Sequence, residues 1–429
     1  MTAILVFSVV LIGFGIVSRR LNRVGITSTM VFVAAGLLVS PEVLDVVVVD
    51  IDVEESTVEL LAELTLAIVL FTDAGRIDFA AVWHSPQVPV RLLGLAFPLT
   101  ILLGLGAGAA ILTDLEFWEA AVLATILAPT DAALGQPVIT NRAIPARLRQ
   151  GLNVESGLND GLSVPILFVF VGIAGIQEET RTSGFWIQFV IEQVGLGVIV
   201  GLVIGLGGAW LLDRALRRDR VNETFQQLVA VALAVVALTA AEQSGGSGLI
   251  AAFVAGLAAG QVCRPLTDRL LEFTEEEGRL LTLGTFFIFG VAFAAPSLDE
   301  ITWEILLYAL LSLTFVRMLP VALSMLGMGL DNSTKLFLGW FGPRGLASLV
   351  LALIVLEEEA LLHREQVFTV AVITVLISVF AHGATARPLA TAFGRHWERT
   401  GMADAPEMQD IKPIPTRGFR DSPEAPPWA

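Results

Sequence analysis

The sequence predicts an all-α polytopic membrane protein of about 13 transmembrane helices. Three observations predict it. Of the 429 residues, 55% are hydrophobic and 16% charged, and the mean hydropathy is +0.76. That is more apolar surface than a water-soluble fold of this length keeps dry. Crossing the hydrocarbon of a bilayer takes about 20 apolar residues in a helix, and such runs recur along almost the whole chain. Basic residues collect in alternate connections between the runs, as the positive-inside rule requires.

The spans lie near 2–17, 24–40, 58–73, 88–112, 117–139, 152–175, 186–212, 224–242, 248–262, 279–295, 303–327, 334–356 and 366–388. No Lys or Arg precedes the first, and Ser18-Arg19-Arg20 follows it. A cleavable signal peptide has the opposite charge order, so this is read as a retained helix. With the N-terminus outside, 22 of the 26 basic residues fall in inner connections or the tail. Two, Arg181 and Arg364, fall in outer loops, and two, Arg317 and Arg344, fall inside spans. A wrong span count would scramble this alternation, so the pattern supports N-outside, C-cytoplasmic in a cell membrane.

The formal net charge is −16, which speaks against nucleic acid as a partner, because phosphate binding needs a basic face. A single cysteine, Cys263, forms no internal disulfide and no cysteine-based metal cluster. The glycines of GLGVIVGLVIGLGG in span seven read as close helix packing. They are not a nucleotide loop, and no organic cofactor is expected.

Thirteen spans divide into a repeat over about 2–175, a linker helix over about 186–212 and a repeat over about 224–388. Spans seven apart then run in opposite directions, the arrangement of inverted-topology transporters. Residues 1–389 form the membrane domain. From 390 to 429 the chain is polar and proline-rich, which predicts a flexible cytosolic tail or a regulatory segment.

Spans five and twelve are both interrupted, by Ala128-Pro129-Thr130-Asp131 and by Gly342-Pro343-Arg344-Gly345. A mid-membrane proline removes a backbone donor and frees a carbonyl. Loosened backbone at that depth is tolerated where it lines a protein cavity or ion site. Matched breaks in two repeats point to a midplane binding site.

Span six opens NVESGLNDGLSVP. Helical positions four apart share a face, so Glu155 stacks with Asn159 and Ser156 with Asp160. Ionisable groups this deep are costly and are by default functional or paired. For Glu155 the intramembrane cations on offer are Arg317 and Arg344. Asp160 and Asp131 come from different helices, one of them broken. Dehydration favours the protonated form of a carboxylate, so such a group holds a proton or a small cation in alternation, which is an antiport cycle. Oxygens suited to an alkali cation stand nearby in the Asp160 carboxylate, the Ser156 hydroxyl and Thr130. Asp73, in LFTDAGRID at the end of span three, reaches the site through water or caps a helix end near the surface. The histidines His84, His363, His382 and His396 are read as solvated, and the acidic loop DVVVVDIDVEES as a solvated outer connection.

APTD in span five, ESGLND in span six and GPRG in span twelve together resemble the monovalent cation:proton antiporter family of NhaP-type bacterial exchangers and mammalian sodium/proton exchangers. The similar layout covers roughly residues 1–390. The Asn159-Asp160 pair resembles the signature of the electroneutral branch. The resemblance implies that Asp160 exchanges cation for proton and that Asn159 braces the crossed, unwound helices. It implies that Thr130, Asp131 and Ser156 complete or shape the cation site, that Glu155 pairs with Arg317, and that Arg344 stabilises the broken helix. It also implies a homodimer in the lipid bilayer, with a moving core domain and a static dimerisation domain. One departure is TDA at 130–132 where many relatives have TDP.

If Asp160 alone titrates, one proton leaves for each Na⁺, Li⁺ or K⁺ and no net charge moves. Two other activities fit intramembrane aspartates: a sodium-coupled organic solute symporter, and an intramembrane aspartyl protease whose paired carboxylates share a proton.

Overall fold

The structure, a computed structural model, describes residues 1–47, 57–84, 86–141, 143–177, 182–262, 278–358, 361–400 and 405–408. Most of the acidic outer loop, Arg142, Arg181, Cys263 and the tail beyond 408 lie outside the described residues. Among the described residues there are helices and no strands. Seven helices are long and apolar enough to cross a membrane: Thr2–Arg23, Gln87–Ile111, Ala146–Gln177, Ser183–Leu216, Gly278–Glu300, Trp303–Ser324 and Arg364–Trp397. Shorter apolar helices are Ser28–Val39, Phe117–Ile126, Leu228–Gln243, Gly248–Val262 and Leu346–Glu357. The third expected span is Thr57–Gly75, more polar because it carries Glu59, Glu63 and Asp73.

Helix starts follow local chemistry. Thr27, Asn222, Thr302 and Asp331 each accept a backbone N–H from the first turn of the helix they precede, satisfying donors that have no helical partner. Where glycines line a helix, backbones approach closely. A Cβ on Gly205 would lie 2.5 Å from the Ala255 carbonyl oxygen, and one on Gly260 would lie 2.1 Å from that of Gly75. The stripe in span seven is therefore a packing seam against Gly248–Val262, as expected. The second seam holds Thr57–Gly75, with Asp73 near its end, against the same helix.

Both expected breaks are present. Phe117–Ile126 stops, the chain unwinds through the APTD segment, and a short helix Gln136–Ile139 follows. Asn332–Trp340 stops, GPRG runs extended, and Leu346–Glu357 resumes. The unbroken Ala146–Gln177 passes beside them, carrying the ESGLND motif in its first half.

The outside of the bundle is apolar. Thr2–Arg23 has no buried residue, and Ser183–Leu216 exposes Ile187, Ile191, Ile199 and Val203. The last span continues as one helix to Thr400, past the boundary near 389 that polarity suggests. Residues 405–407 then return to the bundle: the Pro406 carbonyl accepts from Arg147 at 2.5 Å, and the Glu407 carboxylate accepts from the Asp331 N–H at 2.8 Å and the Thr334 hydroxyl at 3.1 Å.

Candidate functional site

Pro129 and Pro343 lie in the breaks that follow Phe117–Ile126 and Asn332–Trp340, and the loose ends satisfy one another. The Asp131 N–H donates to the Pro343 carbonyl at 2.8 Å. Arg344 is fully buried and donates Nη1 to the carbonyls of Ala128 and Pro129, both at 3.0 Å. Arg344 thus bonds the free carbonyls of the other broken span. Its own N–H donates to the Ser378 hydroxyl at 2.7 Å.

Close approach explains the glycines of GPRG. A Cβ on Gly345 would sit 1.9 Å from Asp131 Oδ2, and one on Gly342 would sit 2.5 Å from Arg317 Nε. Asp131 was expected as a cation or proton ligand, and here its oxygens are occupied by backbone. Oδ1 accepts from Ala133 and Leu134 at 2.7 and 3.3 Å, and Oδ2 accepts from Leu346 at 3.1 Å. The breaks in both helices expose N–H groups, and this carboxylate caps them.

The long helix supplies the remaining groups at helical spacing. Asn159, fully buried, donates Nδ2 to the Thr130 hydroxyl at 2.9 Å and accepts from the Thr130 N–H at 3.3 Å. These two bonds tie the sixth span to the break in the fifth. The hydroxyls of Thr130 and Ser156 bond each other at 2.9 Å. One turn earlier, Glu155 meets Arg317 in a two-pronged pair, Oε2 to Nη2 at 2.8 Å and Oε1 to Nη1 at 2.6 Å, with both side chains at most 1% exposed. Between the two available cations, the structure gives Glu155 to Arg317.

Asp160 lines a small cavity with Asp73, Asp131, Ala133, Thr282 and Leu346. The cavity has room for about one water-sized occupant. Asp73, half-buried and two residues from the end of Thr57–Gly75, lines this same cavity. Thr130, Ser156 and Asn159 are bonded to one another and do not line this cavity. Among the described residues no group of three or more His, Cys, Asp or Glu has metal-holding geometry.

Three contributions were not legible in the sequence. Thr282 reaches the cavity from Gly278–Glu300, and a lone hydroxyl in an apolar run gives no signal. His382, read as solvated, is 1% exposed. Its ring bonds the Ser378 hydroxyl at 3.1 Å and the Trp340 carbonyl at 3.0 Å, because the break after Trp340 leaves that carbonyl without a helical donor. His363, also read as solvated, places Nδ1 2.8 Å from the carboxylate of Glu119, which is 1% exposed at the start of the broken fifth span.

Comparison with known proteins gives three findings. The family model described as sodium/hydrogen exchanger, transmembrane, matches residues 5–392. The K⁺/H⁺ antiporter NhaP2 of Shewanella sp. strain MR-4 is 27% identical over 371 residues, covering 85% of this chain and 62% of that protein. The Na⁺/H⁺ antiporter ApNhaP of Aphanothece halophytica is 26% identical over 356 residues, covering 79% of this chain and 64% of it. The chain thus spans less than two thirds of the length of these curated relatives. In structure, the sodium proton antiporter MjNhaP1 of Methanocaldococcus jannaschii superposes with a TM-score of 0.73 at 21% identity, covering 92% of this chain and 99% of that one.

Proposed function

Because the chain belongs to the sodium/hydrogen exchanger family, we propose that it exchanges a monovalent cation for protons across a cell membrane, with Asp160 holding either one in competition. The observation that carries this reading is the cavity at the crossing of two broken helices, which Asp73, Asp131 and Asp160 line together. Burial penalises the charged form of a carboxylate, so an occupant of that cavity is a proton or a compensating cation.

The residues divide the work. Asp160 takes the exchanged ion, with Asp73 across the cavity and Thr282 offering a hydroxyl. Asp131, Arg344 and Asn159 hold the crossing open, and Thr130 and Ser156 shape the wall behind it. Glu155 and Arg317 neutralise each other, so neither adds to the charge carried. One titrating carboxylate then gives electroneutral one-for-one exchange, in which only the two concentration gradients set direction. Relatives named for K⁺ and for Na⁺ make both, with Li⁺, the cations to test. Such exchange suits control of internal pH.

The same reading organises the whole chain. We take residues 1–389 as thirteen spans with the N-terminus outside and the C-terminus cytoplasmic, built as two inverted repeats about the linker helix. We take the chain as a homodimer with a static dimerisation domain and a moving core domain. The uncovered faces of Thr2–Arg23 and Ser183–Leu216 support a second copy or lipid beside them. Membership of a transporter family sets aside the protease, and a cavity of one water's size disfavours an organic solute.

The test is the full chain in liposomes under an imposed pH gradient, with an internal pH dye and Na⁺, Li⁺ or K⁺ added outside. Cation-dependent proton flux that ignores a clamped potential and disappears in Asp160→Asn supports the reading. No flux with any alkali cation overturns it.

A further inference from the structure

The break in span twelve removes one particular hydrogen bond, and the last span bonds both of its orphaned ends. In an unbroken helix the Arg344 N–H would donate to the carbonyl of Trp340, four residues earlier. Asn332–Trp340 ends at that carbonyl and Leu346–Glu357 begins beyond that N–H. The Arg344 N–H donates instead to the Ser378 hydroxyl at 2.7 Å. That hydroxyl lies 3.1 Å from His382 Nδ1, and His382 Nε2 lies 3.0 Å from the Trp340 carbonyl. Three bonds in series thus join the two atoms that one helical bond would have joined. The Gly342 N–H fills the other lone pair of the Trp340 carbonyl at 2.9 Å.

The hydrogens in this series have a definite direction. A carbonyl only accepts, so His382 Nε2 carries a hydrogen. Ser378 and His382 are both buried, and among the described residues the ring bonds a hydroxyl and carbonyls and no carboxylate. A second ring hydrogen would add a buried charge with no counter-charge bonded to it, so the ring is neutral and Nδ1 accepts. Ser378 then gives its hydroxyl hydrogen to Nδ1, which leaves its lone pairs for the Arg344 N–H. The Ser378 carbonyl, 3.1 Å from Nδ1, takes no hydrogen from that nitrogen. The series runs from the N–H of 344 to the carbonyl of 340, the polarity of the missing helical bond.

We propose that His382 and Ser378 are positioning residues for the exchange site, a side-chain relay that stands in for the helical bond between Arg344 and Trp340 and holds the break in span twelve at one width. Bare backbone groups at this depth are costly, and the relay satisfies both ends while Gly342-Pro343 leaves the helix. That opening gives the Pro343 carbonyl to the Asp131 N–H at 2.8 Å. It turns the Arg344 guanidinium onto the Ala128 and Pro129 carbonyls and sets the Leu346 N–H against Asp131, which shares its cavity with Asp160. On the last span Ser378, His382 and Thr385 fall on one helical face. Thr385 accepts the Trp340 indole N–H at 3.0 Å, and the Trp340 and His382 rings lie with centroids 4.9 Å apart. Trp340 is held by its carbonyl and its ring together.

The effect on exchange rests on the antiport reading, and the experiment separates the two. Its first part needs no transport. The full chain, with nitrogen-labelled histidine, is studied by NMR at neutral pH, and the His382 ring signals are those that disappear in His382→Gln. The expected ring is neutral, with Nε2 protonated and Nδ1 bare and accepting. The opposite tautomer, or a doubly protonated ring, overturns the relay whatever the transport assay shows.

The second part measures exchange in liposomes. Ser378→Ala and His382→Leu each raise KM for the cation about tenfold, the scale of one ordinary hydrogen bond, with kcat within about threefold of wild type. The double variant is no worse than either single, because one missing link empties the series. His382→Gln, which keeps a donor and an acceptor, stays within about threefold of the wild-type KM. A lower kcat at unchanged KM is the mark of fewer folded transporters and overturns the inference. So does a double variant whose KM rises about a hundredfold, since independent residues multiply their effects. Absent wild-type exchange overturns the antiport reading, and the ring tautomer then decides the relay by itself.

Discussion

Asp131 of the fifth span accepts the backbone N–H of Leu346 in the twelfth at 3.1 Å. Arg344 of the twelfth returns the exchange by donating to the Ala128 and Pro129 carbonyls of the fifth, both at 3.0 Å. Each broken helix is completed by a charged side chain of the other. An acid finishes the exposed N–H groups and a base finishes the exposed carbonyls, as the signs of helix ends require. The crossing is therefore one unit, and damage to either strand of it reaches both.

Asp131 and Asp160 separate on that ground. Asp160→Asn is expected to abolish exchange with the melting temperature unchanged or raised, because a buried charge is removed. Asp131→Ala leaves three backbone N–H groups without an acceptor and is expected to cost about 2 kcal/mol or more. Asp131→Asn keeps one oxygen and falls between. Thermal unfolding in detergent, run beside the flux assay, distinguishes them, and equal stability of Asp131→Ala and wild type would refute the capping role.

The pair of Glu155 and Arg317 behaves as a buried ion pair. Glu155→Ala or Arg317→Ala alone strands a charge and is expected to cost roughly 3–5 kcal/mol. Glu155→Gln with Arg317→Met removes both charges and is expected to recover most of that loss. A double-mutant cycle in chemical unfolding measures the coupling, and additive single effects would show that the two residues do not act together.

Gly345 is sensitive to a single methyl group. Its Cβ would fall 1.9 Å from Asp131 Oδ2, whereas a Cβ on Gly106 meets nothing within 4 Å. Gly345→Ala is expected to lose exchange and stability together. Gly106→Ala is expected to be neutral or stabilising by up to about 1 kcal/mol through helix propensity. Flux through a well-folded Gly345→Ala protein would contradict the close approach.

Outside the membrane, Asp331 gives a pH dependence with a definite sign. The Ser333 hydroxyl, then the Ser333 N–H, bond its carboxylate and hold its pKa below the ordinary value. The folded pKa lies below the unfolded one, so the cap's stabilisation is complete above the ordinary carboxylate range near pH 4 and is lost as pH falls through the depressed value. Asp331→Ala is expected to lower stability by at most about 1 kcal/mol at pH 7, since the site is exposed. The gap from wild type should close on acidification below about pH 4. Melting curves from pH 7 to pH 3 check this, and a gap that widens would reverse the assignment.

The sequence by itself determined the membrane class, the two breaks and the motif helix. These depend on local quantities: apolar run length, mid-membrane prolines, and ionisable residues four apart on one face. They led to Asp160 and to the pairing of Glu155 with one of two arginines, while the brace expected of Asn159 came from the family resemblance. Only the tertiary structure decided partners distant in sequence. Asp131 became a cap because the break before Leu346 left the N–H of that first helical residue facing it. His382 and Glu119 became buried and bonded because neighbouring helices covered them, although nothing in their flanking residues marks them as interior. Thr282 joined the cavity through the packing of a helix that carries no motif. Spacing along one helix fixes which side chains share a face, but which face meets which depends on glycine seams and the shapes of all the packed helices together.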